Sequence, residues 1–134
     1  MTSYEDVMMW LADYCEKHKI EINYLSDMSP TDKPQSFRYP KIIFLNDKWF
    51  NINEKPFIFA HEIGHTLCAR EDLVKKSDTY SKKSKNEYFA NRFAIRLLQK
   101  YCEENDIVFN SVYDFANAFG IPSKYWYLLE KVCS

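Results

Sequence analysis

The chain has 134 residues, with 18 basic against 19 acidic side chains and a formal net charge of -1, which argues against a dedicated nucleic-acid binder, since that needs a strongly basic face. Hydrophobic residues at 46% and aromatics at 17% exclude an intrinsically disordered chain, and the length suits one domain, residues 1–134, with a real core. No apolar run is long enough to span a membrane, and the acidic N-terminus Met1-Thr2-Ser3-Tyr4-Glu5-Asp6 has no secretory-signal pattern, so no membrane partner and a cytoplasmic location are expected. Cys15, Cys68, Cys102 and Cys133 are widely spread with no C-x-x-C pair. That spacing fits neither a disulfide framework nor a cysteine zinc site, and four reduced, mostly buried thiols are expected.

In chain order, Tyr4, Val7, Met8, Leu11 and Cys15 recur at helical spacing, which predicts an amphipathic helix near residues 3–18. Ile20 to Tyr24 alternates as a strand does. Ser26 to Gln35 holds Pro30 and Pro34 among polar residues and reads as a loop. Short strands are expected at Phe37 to Tyr39 and Lys41 to Leu45, then a turn at Asn46-Asp47 and a further strand from Trp49 to Ile52. Pro56 suits the first turn of a helix running to about Ala69, with Asn53 as its cap. Residues 70 to 86, rich in Lys and Ser, read as a loop, followed by a second strong helix from Asn86 to Glu103. Two shorter helices are expected on Val112 to Phe119 and on Tyr125 to Val132, separated by Gly120 and Pro122. The order implies an α+β fold, a small mixed or antiparallel sheet packed on helices.

The first strong helix carries His61-Glu62-Ile63-Gly64-His65. At about 100° per residue, His61 and His65 share a face one turn apart. Two imidazoles placed so can converge on one metal ion. Glu62 lies beside that metal position, where it can accept a proton from an activated water as general base. Phe59, Ala60, Ile63 and Leu67 form the opposite, anchoring face. Gly64 costs about 1 kcal/mol against alanine in a helix interior, a cost that room for a close-approaching backbone or substrate would offset. Cys68 continues the histidine stripe a turn too far and reads as a packing residue.

A catalytic zinc takes three protein ligands and keeps one position open. His18 sits at the polar end of the first helix, so the third ligand is sought elsewhere. Glu87 is centred on a mostly apolar face of the second helix, with Ala90, Asn91, Ala94, Ile95, Leu97, Leu98 and Tyr101 within about 80° of it. A bare carboxylate there is costly unless it meets a cation, and zinc is the cation at hand. The alternative is a helix-N-terminal carboxylate that only favours the dipole. Asn91, one turn on from Glu87, is placed to hydrogen-bond a ligand histidine and fix its tautomer, or to be satisfied by backbone.

His-Glu-Ile-Gly-His followed by Asn86-Glu87-Tyr88-Phe89-Ala90-Asn91-Arg92-Phe93-Ala94-Ile95-Arg96-Leu97-Leu98 resembles the ImmA/IrrE metallo-endopeptidases of bacteria, phages and integrative elements. The resemblance covers the two helices closely and the strand-rich segment before them in outline. It implies a zincin-like, gluzincin-type fold, with an active-site helix and a third-ligand helix. It also implies one Zn2+ per chain on His61, His65 and Glu87, and Glu62 as catalytic base. The spacing of Glu87 and Asn91 is similar to the E-x-x-x-D of larger gluzincins, with Asn for Asp. Members of that family cleave a cognate helix-turn-helix repressor, so a protein substrate of that class is the implied partner, with no direct contact to nucleic acid.

A zinc peptidase also needs a donor for the developing oxyanion, and ten tyrosines leave the choice open. A substrate strand could add along Lys41 to Leu45 or Trp49 to Ile52, unless these are ordinary core strands. The basic segment Arg70 to Lys85, with Lys75, Lys76, Lys82, Lys83 and Lys85, reads as a solvated loop or a lid. Two rival functions stand beside the peptidase. Phe115 to Ser123 faintly resembles a helix-turn-helix, but the would-be recognition helix from Lys124 to Glu130 is aromatic and apolar, better suited to capping a core. The other is a metal-bound but non-proteolytic regulator, which sequesters a repressor or serves in a toxin-antitoxin pair.

Overall fold

The computed structural model describes the backbone of residues 3–68 and 80–129 and the side chains of 4–67 and 85–129. The expectations placed on residues 70–79, on Val132 and Cys133, and on the side chains of Cys68, Lys82 and Lys83 lie outside the described residues. Helix α1, Ser3–Lys17, buries Val7, Leu11 and Cys15 at four-residue spacing. It ends with Lys19 in the left-handed region (φ 59°), which lets the Ile20 amide donate to the Cys15 carbonyl at 2.9 Å. Cys15 and Cys102 are free, buried thiols, as expected. Burial pushes Cys15 up to about 12 and Cys102 up to about 11.

Strands β1 (Glu21–Leu25), β2 (Gln35–Arg38) and β3 (Lys41–Asn46) form one mixed sheet in the order β1-β3-β2. β1 runs parallel to β3, with Ile22 opposite Ile43; β2 runs antiparallel to it, with Phe37 opposite Ile42. The fold is therefore α+β, as expected. Because β3 is central, Lys41 to Leu45 cannot be the free edge considered from sequence; β1 and β2 are the edges. Trp49 to Ile52 is not a strand either. Asn46 is buried and its side chain reverses the chain, accepting from the Lys48 amide at 2.9 Å and donating to the carbonyls of Ser29 and Asp32 at 2.7 and 3.0 Å. Asn51 then caps a 3-10 turn over Ile52–Glu54, accepting from the Asn53 amide. These local side-chain bonds outweigh the β propensity of Trp49 and Phe50.

Helix α2, Lys55–Cys68, lies across β2 and β3 and packs against α3, Tyr80–Glu104. α3 begins six residues before the start that polarity suggests, because a Lys- and Ser-rich stretch without Gly or Pro tolerates helix well. Helix α4, Val112–Phe119, is capped by the Ser111 hydroxyl and ends on Gly120 in the left-handed region (φ 72°). A 3-10 turn follows at Ser123–Tyr125, and residues 127–129 are helical. Phe115, Ala116, Phe119, Ile121, Leu128 and Leu129 are all buried, and the Trp126 indole donates to the Ile121 carbonyl at 2.9 Å. This C-terminal pair spends its apolar faces on the core, which accords with the expected capping role. Among the described residues no helix is long and apolar enough to cross a membrane.

Lys19 holds a backbone conformation that costs an L-residue about 1–2 kcal/mol. Lys19→Gly is expected to raise stability by about 1 kcal/mol, read as a higher urea midpoint with an unchanged slope.

Candidate active site

Phe59, Ala60 and Ile63 of α2 are completely buried, and anchoring that face turns His61 and His65 into a cleft. Their Nε2 atoms lie 3.0 Å apart, with the rings nearly perpendicular. Between them on the helix is Gly64. A Cβ built there would sit 3.0 Å from the Ala90 carbonyl oxygen, 3.1 Å from its Cα and 3.2 Å from the Phe93 ring. The glycine therefore admits the backbone of α3, the first of the two uses its place in the helix suggests.

That approach carries Glu87, one turn before Ala90, over the two imidazoles. Glu87 Oε2 lies 3.1 Å from His61 Nε2, and Oε1 lies 2.9 Å from His65 Nε2. The carboxylate is not buried on an apolar face as its helical phase suggests. Its side chain is 54% exposed at the lip of the cleft, and the histidines are its counter-groups. Contact with both imidazoles holds the Glu87 carboxyl well below the usual carboxylate range. Burial works to lower His65, but its contact with Glu87 outweighs that and raises it.

Glu62 is only 5% exposed, and a carboxylate oxygen lies within 4.8 Å of a ring nitrogen of each histidine. Burial raises its pKa, the two histidines oppose that, and Glu87 adds to it. Its Oε2 has no hydrogen-bond partner. Asn91 is 2% exposed and lines the same cleft, yet its Oδ1 is unpartnered, as is Nδ1 of His61. The bond from Asn91 to a histidine expected from its spacing is thus not formed. His18 stands apart, exposed and stacked on Tyr14 at 4.2 Å.

The cleft has a volume of about 390 Å³. One wall comes from Lys33 and Pro34, ahead of β2; the other comes from the segment holding Gly120, Pro122, Lys124 and Tyr125. Gly120 is required there twice over. Its φ is positive, and a Cβ would fall 1.9 Å from the Asn53 carbonyl oxygen. Among the described residues Tyr125 is the one tyrosine that lines this cleft, and Phe57 lies between its ring and that of His61 at 5.8 and 6.0 Å. Sequence periodicity assigns Tyr125 to a packing helix and carries no signal for this placement. Trp49 and Glu54, joined by an indole-to-carboxylate bond of 2.9 Å, complete the rim.

Two imidazole nitrogens and a carboxylate crowded within 2.9–3.1 Å repel one another unless a proton or a cation lies among them. A tetrahedral metal with bonds of about 2.0–2.1 Å spaces its ligand atoms about 3.3 Å apart, so the three donors fit one ion after shifts of a few tenths of an ångström. A metal position flanked by a buried carboxylate is the arrangement that metal-dependent peptide hydrolysis uses, and it makes the class a metallopeptidase. The chain belongs to the Peptidase_M78 family, described as the IrrE N-terminal-like domain, whose model matches residues 15–125. That agrees with the resemblance carried by the two helix motifs. No curated protein and no solved structure matches the chain.

Gly64→Ala gains helix propensity of about 1 kcal/mol but must push α3 outward. A net destabilisation of about 1–3 kcal/mol is expected, together with weaker metal retention in equilibrium dialysis, because Glu87 moves away from the histidines.

Proposed function

We propose that this protein is a zinc metallo-endopeptidase of zincin-like, gluzincin-type architecture, in which His61, His65 and Glu87 hold one zinc ion and Glu62 is the general base. The observation that carries this reading is the convergence of the three ligand atoms to within 2.9–3.1 Å, with the Glu62 carboxylate immediately beside them. When bound, zinc lowers the pKa of water and polarises the scissile carbonyl. Glu62 takes the proton from the attacking water and passes it to the leaving amine. Tyr125, on the facing wall, donates its phenolic hydrogen to the oxygen of the tetrahedral intermediate. Asn91, buried with a free amide oxygen, turns to accept from His61 Nδ1 and so fixes the tautomer that presents Nε2 to the metal.

The substrate class follows from kinship: a cytoplasmic helix-turn-helix repressor of a phage or mobile element, cut in an extended segment. β2 is the edge available for such a segment, because it directly follows Lys33 and Pro34 of the cleft wall and its outer side has no strand partner. Main-chain pairing along an edge supplies affinity without demanding sequence.

The purified chain is expected to hold about one zinc ion by elemental analysis, and Glu87→Ala to lose most of it. Glu62→Gln should retain the metal and lose about 10²–10⁴-fold in cleavage of a co-expressed repressor, mapped by mass spectrometry. Tyr125→Phe should lose about 10²-fold in kcat with metal content unchanged. A fully active Glu62→Gln variant would remove Glu62 from the chemistry.

A further inference from the structure

A second, smaller cavity of about 60 Å³ adjoins the cleft and shares three of its walls, Pro34, Trp49 and Ile58. Its remaining apolar lining comes from the Tyr4 ring and Met8 of α1 and from the Tyr24 ring and Leu45 near the ends of β1 and β3, with Asp47 at the edge. Two of the polar groups that line it are engaged within the chain. Lys55 Nζ donates to the Asp47 carbonyl at 2.9 Å, and the Asn46 amide holds the loop at Ser29 and Asp32. Most of the wall is side-chain carbon, so an apolar guest loses nothing there.

We infer that this cavity is a specificity pocket, which takes a leucine, isoleucine or methionine side chain from within two residues of the scissile bond. The inference rests on the peptidase reading of the neighbouring cleft. Position follows from helix geometry. Ile58, the shared wall on α2, precedes His61 by three residues, an axial rise of about 4.5 Å. An extended peptide advances about 3.3 Å per residue, so the guest belongs to one of the first two residues beside the cut. Size follows from volume. A water-sized group needs about 10–15 Å³ on this measure, so the cavity holds about four to six such groups. Leucine, isoleucine and methionine fill it; alanine leaves it largely empty, and a phenylalanine ring overfills it.

Three measurements test this. Profiling the zinc-loaded protein on a proteome-derived peptide library should enrich Leu, Ile and Met about tenfold at one position within two residues of the cut. Met8→Ala, which widens the pocket, should shift that position toward Phe; Met8→Phe, which fills it, should shift it toward Ala and Val. Cleavage with no preference there, or a preference that neither variant alters, overturns the pocket and leaves the peptidase standing. The pocket is also read without catalysis, by NMR titration of the metal-free chain. N-acetyl-leucine methylamide should shift the Ile58 and Leu45 methyl signals while the glycine analogue does not. Equal effects of the two compounds overturn the inference, and a leucine-specific shift with no library cleavage sustains the pocket while counting against the peptidase.

Discussion

The crossing of α2 and α3 at Gly64 and Ala90 is the contact on which the site depends. His61 and His65 belong to one helix and Glu87 to the other, so their distances are set by how closely two backbones approach. With hydrogen in place of a methyl group, the helices meet so closely that an added Cβ would stand 3.0 Å from a carbonyl oxygen. Helix axes separated by more ordinary side chains lie about 8–10 Å apart; a single larger residue at the crossing moves Glu87 relative to the two histidines. Buried Phe59 and Ile63 fix the roll of α2, and Ala94, Ile95 and Leu98 fix that of α3. The core therefore specifies rotation, and the glycine specifies separation.

The same contact explains the electrostatics. Glu87 is half exposed, yet two imidazoles hold its carboxyl low. Glu62 is enclosed, and its carboxyl rises despite the same two neighbours. Two carboxylates around one histidine pair are thus driven in opposite directions by exposure and contact. Such divergence commonly separates a ligand from an acid-base group, and it arises here because Glu62 is carried on α2 beside the histidines and Glu87 on α3 opposite them.

How much of this was legible in the sequence depends on whether the controlling interactions were local. Both long helices were, because periodicity and the four-residue spacing of His61 and His65 are properties of one segment. Glu87 was found by asking what a carboxylate could meet on that face, although it proves to be at the cleft lip and not in the core. Strand order was not legible, since pairing β1 and β2 on either side of β3 is decided across the chain. Trp49 to Ile52 looked like a strand because aromatic and β-branched residues dominate it, but the side chains of Asn46 and Asn51 claim the backbone first. Tyr125 could not be found at all, because its place at the cleft depends on a backbone contact between Gly120 and Asn53 that no periodicity encodes.

Gly120 and Gly64 are the chain's two glycines, and both are clamped against another stretch of backbone. One close approach sets the spacing of the helices that carry His61, His65 and Glu87, and the other seats the wall that holds Tyr125. An α-helix is about 10–12 Å across with its side chains, whereas a single extended strand is far slimmer. If the cleft takes its substrate as the proposed extended segment, selectivity begins in how readily the visitor unravels, before any side chain is recognised.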